Sequence, residues 1–260
     1  MSTKKDKFTY KDQYFMNLAL NLARDKSGLT GDNPSVGCII VKNNKLIAAG
    51  QTAFNGRPHA EFNALKKNKK NLNGSTMYVT LEPCNHYGKT PPCTNYIIKN
   101  KIKKVIYSID DIDERTKSKT KAILTSKNIK VKKGLLKKKI SRFYKSYFVN
   151  KKKMPYVTGK IAITKNNLIY SQKQKRITNI YSDKFTHLLR YKNDSILISH
   201  KTLNKDNPRL DCRINGLETF SPKKIILDKN LKTNINSSIF KNIKHKNKII
   251  FYNYATKKKN

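Results

Sequence analysis

The chain has 260 residues, with 57 Lys or Arg against 16 Asp or Glu and a formal net charge of +41. That length allows one or two domains with a substantial core, and no apolar run reaches the roughly 18 residues that a membrane span needs. Only eight of the cations are arginine, the planar fork suited to phosphates and bases, and lysine is spread evenly beside abundant asparagine and isoleucine. A/T-rich codons give that composition, so the charge does not by itself make a nucleic-acid binder.

The opening stretch MSTKKDKFTYKDQ has no apolar segment of the secretory kind. Four cysteines in such a chain point to reduced thiols used for metal or catalysis, and to a cytoplasmic protein.

Residues 11–25 place Phe15, Leu18 and Leu22 at helical spacing and predict an amphipathic helix. The apolar run Val36 to Val41, the turn Lys42-Asn43-Asn44-Lys45 and the return Leu46 to Ala49 predict a hairpin. A helix is expected over Glu61 to Lys70, a strand over Thr76 to Leu81, and a helix over Asn95 to Asn100. Then come a strand over Val105 to Ile109, a helix over Thr116 to Ser126, a short strand at Ile129 to Val131, and a helix through Tyr147. Alternating strands and helices predict an α/β layered domain over residues 1–150. Lysines at 151–153 before Met154 and Pro155 suggest a boundary. Residues 151–260 then read as a second unit: strand Tyr156 to Ile163, helix Tyr181 to Tyr191, and strands Ser195 to Ser199, Lys224 to Leu227 and Lys248 to Tyr252.

The chemistry is concentrated in two phrases, PHAEFNAL and VTLEPCNHYGKTPPCT. Hydrolytic zinc takes three His or Cys ligands and keeps a fourth position for water. His59, Cys84 and Cys93 supply that set: Cys84 beyond a strand end, Cys93 near a helix start whose dipole favours a thiolate. The metal acidifies water, and Glu61, two residues after His59, can carry protons between attack and departure. The pattern is that of zinc deaminases, H-x-E followed by P-C-x-x-C, except that eight residues separate the cysteines. A structural zinc site would want a fourth ligand nearby. Cys38, in an apolar run, and Cys212, without a partner, read as small buried side chains, and His187, His200 and His245 lack ligand spacing.

His59-Ala60-Glu61 and the segment Glu82 to Cys93 closely resemble the deaminase domain of the bifunctional riboflavin-biosynthesis deaminase/reductase family, and Asn33-Pro34-Ser35-Val36-Gly37 resembles its N-P-N-V-G. The resemblance implies a cytidine-deaminase-like three-layer α/β/α domain that hydrolytically removes an amine from a small phosphorylated pyrimidine. It places Asn33, His86 and Lys89 at the substrate. Residues 155–228 resemble the first part of the family's reductase domain, similar in fold to dihydrofolate reductase and dependent on NADPH. It follows that Arg190, Leu210 and Arg213 are expected at the substrate, and Ala162, Thr202 and Asp206 at NADPH.

Departures accompany that likeness. The family's S-L-D-G turn reads Thr164-Lys165-Asn166-Asn167, its W-I-T reads Arg176-Ile177-Thr178, and the preceding serine is Gln174. Because the chain stops after one more strand, where the family's reductase continues, an incomplete dihydrofolate-reductase-like α/β domain is expected. A homo-oligomer with no membrane or nucleic-acid partner completes the expectation. The alternatives are a deaminase of a tRNA or nucleoside base, and a basic nucleic-acid-binding protein with structural zinc.

Overall fold

The computed structural model describes residues 8–66, 71–169, 177–241 and 248–253. They form two compact units, Met1–Val157 and Thr158–Asn260.

Helix α1 spans Tyr10–Asp25 and starts in a capping box. The Asp12 N–H donates to the Thr9 hydroxyl at 3.1 Å, and the Asp12 carboxylate accepts the Thr9 N–H at 2.8 Å. Its buried stripe is Asp12, Phe15, Met16, Ala19, Leu20 and Ala23. Leu18 and Leu22 of the predicted face only flank that stripe, packed against the core and half-buried. The smaller Ala19 and Ala23 face the sheet, because small side chains let the helix approach closely.

Asp12 also accepts the Tyr78 hydroxyl at 2.8 Å, tying α1 to the sheet. Burial pushes its carboxyl up, but the Thr9 N–H, the Tyr78 and Thr9 hydroxyls and Lys104 together hold it below its ordinary 3.8. Asp12→Asn is expected to destabilise the chain by about 1–3 kcal/mol, read as a lower denaturant midpoint. Because the folded pKa is depressed, the difference from wild type is full above pH ~4 and closes as pH falls through the folded value.

Strands β1 (Gly37–Lys42) and β2 (Lys45–Gln51) form the predicted hairpin, with Asn43 and Asn44 both at positive φ as a two-residue turn requires. After a turn at Phe54–Gly56 come α2 (Ala60–Lys66), β3 (Thr76–Leu81), α3 (Cys93–Lys99) and β4 (Lys104–Ile109). Then follow α4 (Thr120–Thr125), β5 (Lys130–Lys133), α5 (Lys137–Phe143) and α6 (Lys145–Lys151). The end of the predicted helix over Glu61 to Lys70 lies outside the described residues. Helix α4 is shorter than predicted because residues 111–120 wrap a buried carboxylate instead. The helix predicted through Tyr147 divides at Tyr144, whose buried hydroxyl donates to the Ser35 carbonyl at 2.9 Å.

The sheet runs β2-β1-β3-β4-β5, with β1 antiparallel to both neighbours and β3, β4 and β5 parallel. The strands β1, β3 and β4 are buried almost throughout, as they must be with helices on both faces. Gly50 sets one of those contacts: a Cβ there would fall 2.2 Å from the Ala60 carbonyl oxygen and 2.5 Å from the Ala64 nitrogen. Only glycine lets α2 lie this close to β2, and α2 carries the chemistry.

The second unit contains α7 (Ile180–Lys192), β6 (Ser195–Ser199), α8 (His200–Asp206), β7 (Lys223–Leu227), α9 (Ser238–Lys241) and β8 (Lys248–Phe251). The three strands are parallel in the order β6-β7-β8. Leu203, Leu210, Ile226 and Ile239 make its core. The strand predicted over Tyr156 to Ile163 is not one: the segment pairs with no ladder among the described residues, and Val157 and Ile161 are exposed. A strand exists only through its partner's hydrogen bonds, which the local pattern cannot supply. No helix among the described residues is long and apolar enough to cross a membrane.

Candidate metal centre

The loop leaving β3 is held by a carboxylate that no sequence motif singles out for this task. Glu82 is 3% exposed, and its oxygens accept the backbone N–H groups of Asp111 at 3.2 Å, Ser118 at 2.9 Å and Thr120 at 3.1 Å. Its own N–H donates to the Ile109 carbonyl. Asn85 adds hydrogen bonds to the Thr116 carbonyl and the Thr120 hydroxyl, both at 3.0 Å. Cys84 is thereby fixed between two anchored neighbours. The signal for Glu82 in the sequence is a charged residue between Leu81 and Pro83 at the end of an apolar strand.

Three elements deliver the ligands. His59 immediately precedes α2, Cys84 follows β3, and Cys93 is the first residue of α3. His59 Nδ1 lies 3.5 Å from the Cys84 sulfur and 3.5 Å from the Cys93 sulfur, and all three donor atoms fall within 4.8 Å of one another. Tetrahedral zinc with bonds of about 2.0–2.1 Å to nitrogen and 2.3 Å to sulfur separates N and S ligands by about 3.5 Å. The observed edges have that length, and the donors are the imidazole and soft thiols that zinc prefers. The residues fit the ion.

Protonation agrees with that fit. A hydrogen bond from the Cys93 thiol, against the opposing effect of burial, and further help from His59 draw the Cys84 thiol down to about 4. The same contact, with burial and Glu61, pushes Cys93 up. The first N–H of α3 donates to the Cys84 sulfur at 3.3 Å. Glu61, 4% exposed, is raised to about 7, chiefly by burial, and its carboxyl also meets the Cys93 thiol. The His59 imidazole is raised by its hydrogen bond with Cys84.

Asn33 packs against Gly56: a Cβ on that glycine, at φ +86°, would fall 2.4 Å from Asn33 Nδ2. His86 Nδ1 is engaged by the Thr116 hydroxyl at 3.0 Å. Lys89 is exposed on the loop between the cysteines. Arg57, unremarked in the sequence, spans to that loop with a 2.8 Å hydrogen bond to the Thr90 hydroxyl. Cys38 is fully buried in β1, as its apolar setting suggested.

In the second unit Arg190 and Arg213 come together around Asp211. Arg190 donates to the Asp211 carbonyl at 3.1 Å, and Arg213 pairs with the Asp211 carboxylate at 2.7 Å. Arg209 pairs with the same carboxylate at 2.7 Å. Leu210 is buried beside them at positive φ. Thr202 and Asp206 share one exposed face of α8, while Ala162 lies in the segment without secondary structure that precedes α7. His200 lies 3.4 Å from the buried Asp228. Gln174, Arg176 and His245 lie outside the described residues.

Residues 9–109 match the family model of the cytidine and deoxycytidylate deaminase zinc-binding region, and residues 166–260 match that of the RibD C-terminal domain. The riboflavin biosynthesis protein RibD of Aquifex aeolicus (strain VF5) is 35% identical over 88% of this chain and 65% of its own length. A diaminohydroxyphosphoribosylamino-pyrimidine deaminase of Buchnera aphidicola subsp. Schizaphis graminum (strain Sg) is 43% identical over 53% of this chain and 94% of its own. A solved deaminase/5-amino-6-(5-phosphoribosylamino)uracil reductase of Thermotoga maritima superposes with a TM-score of 0.80 at 31% identity, covering 94% of this chain and 70% of that one. The chain thus spans just under two thirds of the length of the Aquifex relative.

Proposed function

The chain belongs to the riboflavin-biosynthesis deaminase/reductase family, and from that premise we propose that its first unit, near residues 1–150, is a zinc aminohydrolase. The substrate is 2,5-diamino-6-(5-phosphoribosylamino)pyrimidin-4(3H)-one, from which water displaces one ring amine as ammonia. The observation that carries this reading is the imidazole and two sulfurs at zinc-ligand spacing beside a buried carboxyl.

Zinc held by His59, Cys84 and Cys93 would bring a water's pKa to near neutrality. Glu61 then takes a proton from the water and returns it to the departing amine, a role that suits a carboxyl raised to about 7. Asn33, beside Gly56, holds the substrate, and His86 and Lys89, on the loop between the cysteines, meet its phosphate or the adjoining pyrimidine. Ammonia release that tracks zinc content, and stops on chelation, tests the assignment. Turnover undiminished after complete zinc removal would refute it.

The second unit, residues 151–260, is proposed to reduce the product's ribosyl group with NADPH. Arg190 and Arg213 clamp the substrate phosphate beside Leu210, and Ala162, Thr202 and Asp206 meet the cofactor. Support comes from the match over residues 166–260 and from the two guanidinium groups set side by side. NADPH consumption on adding the deaminated product is the assay. The same reading makes the enzyme a cytoplasmic homo-oligomer. Leu197, Leu227 and Phe251 lie on one face of the β6–β8 sheet, at 55%, 47% and 55% exposure among the described residues. A solution mass of one chain would remove the oligomer from the proposal.

A further inference from the structure

We infer that His187 is the positioning residue of the two-arginine clamp in the second unit, its Nδ1 lone pair fixing where Arg190 and Arg213 stand. This rests on the reading of those arginines as a phosphate clamp and extends it to a histidine that no motif marks.

Arginine presents donors only, so whatever orients it must accept. His187 Nδ1 lies 3.3 Å from Arg190 Nη1 and accepts the Arg213 backbone N–H at 3.1 Å. One lone pair thus serves α7 and the segment after Leu210 together. The His187 carbonyl adds a third tie, accepting the Cys212 thiol at 3.6 Å. A neutral imidazole has one accepting nitrogen, so these contacts require the Nε2–H tautomer. Burial, and then Arg190 and Arg213, push the His187 pKa down, which keeps Nδ1 free to accept.

The cluster is built for an anion. Arg190, Arg209 and Arg213 converge on the single Asp211 residue, with Asp183 the other acid acting on Arg190. Burial and the Arg213 charge lower the Arg190 pKa, and its Nε–H is buried with no acceptor among the described residues. A phosphate is the ligand class that such paired guanidinium groups take, and the His187 Nδ1 contacts hold Arg190 and the Arg213 backbone in register with each other.

The test compares two replacements in the full chain. Asn places its Oδ1 where Nδ1 stands, whereas Gln places its Oε1 near Nε2. Ribose 5-phosphate serves as the probe, its affinity read by titration calorimetry, with the Arg190 Nε–H signal in a proton–nitrogen spectrum, identified by its loss in Arg190→Lys, as a second readout wherever Arg190 is present. His187→Asn should bind within about twofold of wild type, and His187→Gln about tenfold more weakly, the loss of one hydrogen bond to a charged group. Wild-type affinity in His187→Gln, or equal weakening in both variants, would overturn the role of His187. If Arg190→Ala and Arg213→Ala bind as wild type, the clamp reading itself falls. Loss in the arginine variants with none in His187→Gln defeats the positioning role alone.

Discussion

Glu61→Gln is expected to keep zinc at the wild-type level while lowering the rate of ammonia release by about 10²–10⁴-fold. The exchange preserves shape, so the amide fits the space of the 4%-exposed carboxyl and leaves His59, Cys84 and Cys93 in place. What it removes is the exchangeable proton. An amide can hold a water by hydrogen bonds but cannot take its proton at one moment and return it at the next. The effect should fall on kcat, because the missing function is needed after binding. Metal analysis and steady-state ammonia release on the same preparation check both halves. Activity close to that of wild type, with zinc retained, would show that another group carries the proton.

The legibility of this site followed the range of each interaction. His59, Glu61, Cys84 and Cys93 declare themselves because zinc chemistry admits few residue types, and all four lie within 35 positions. Glu82 stayed silent because its partners are backbone N–H groups 29 to 38 residues away, which any residue could supply. Arg57 was hidden likewise, since its partner Thr90 is 33 residues distant and Thr is common. The predicted strand at 156–163 shows the opposite error, in which local pattern was present and the ladder was not. Helix α8 lacked the length for a periodic signal, yet Ser199 caps it by accepting the Thr202 N–H at 3.2 Å. The hairpin succeeded because Asn43-Asn44 dictates its own turn, independent of distant partners.

Cys84→Ser should lose zinc, lose essentially all ammonia release, and unfold at the same temperature as chelator-treated wild type. Cys84 is the sulfur whose pKa is drawn down, by the Cys93 thiol first and then by His59 and the first N–H of α3. A serine hydroxyl keeps the volume but not the charge, so the site would offer one imidazole and one thiol whose pKa burial holds high. The three ligands come from before α2, after β3 and at the start of α3, so an ion joining them ties together three elements of one core. Binding to the folded state alone stabilises it by about 4 kcal/mol when free metal is a thousandfold above Kd. Zinc should therefore raise the melting temperature of wild type and leave Cys84→Ser unmoved. Cys38→Ala separates this from thiol loss in general: it opens a small gap in β1, lowers stability with or without zinc, and leaves metal content unchanged. A Cys84→Ser protein that still held zinc at the wild-type level would place the ion on other donors and undo the centre described above.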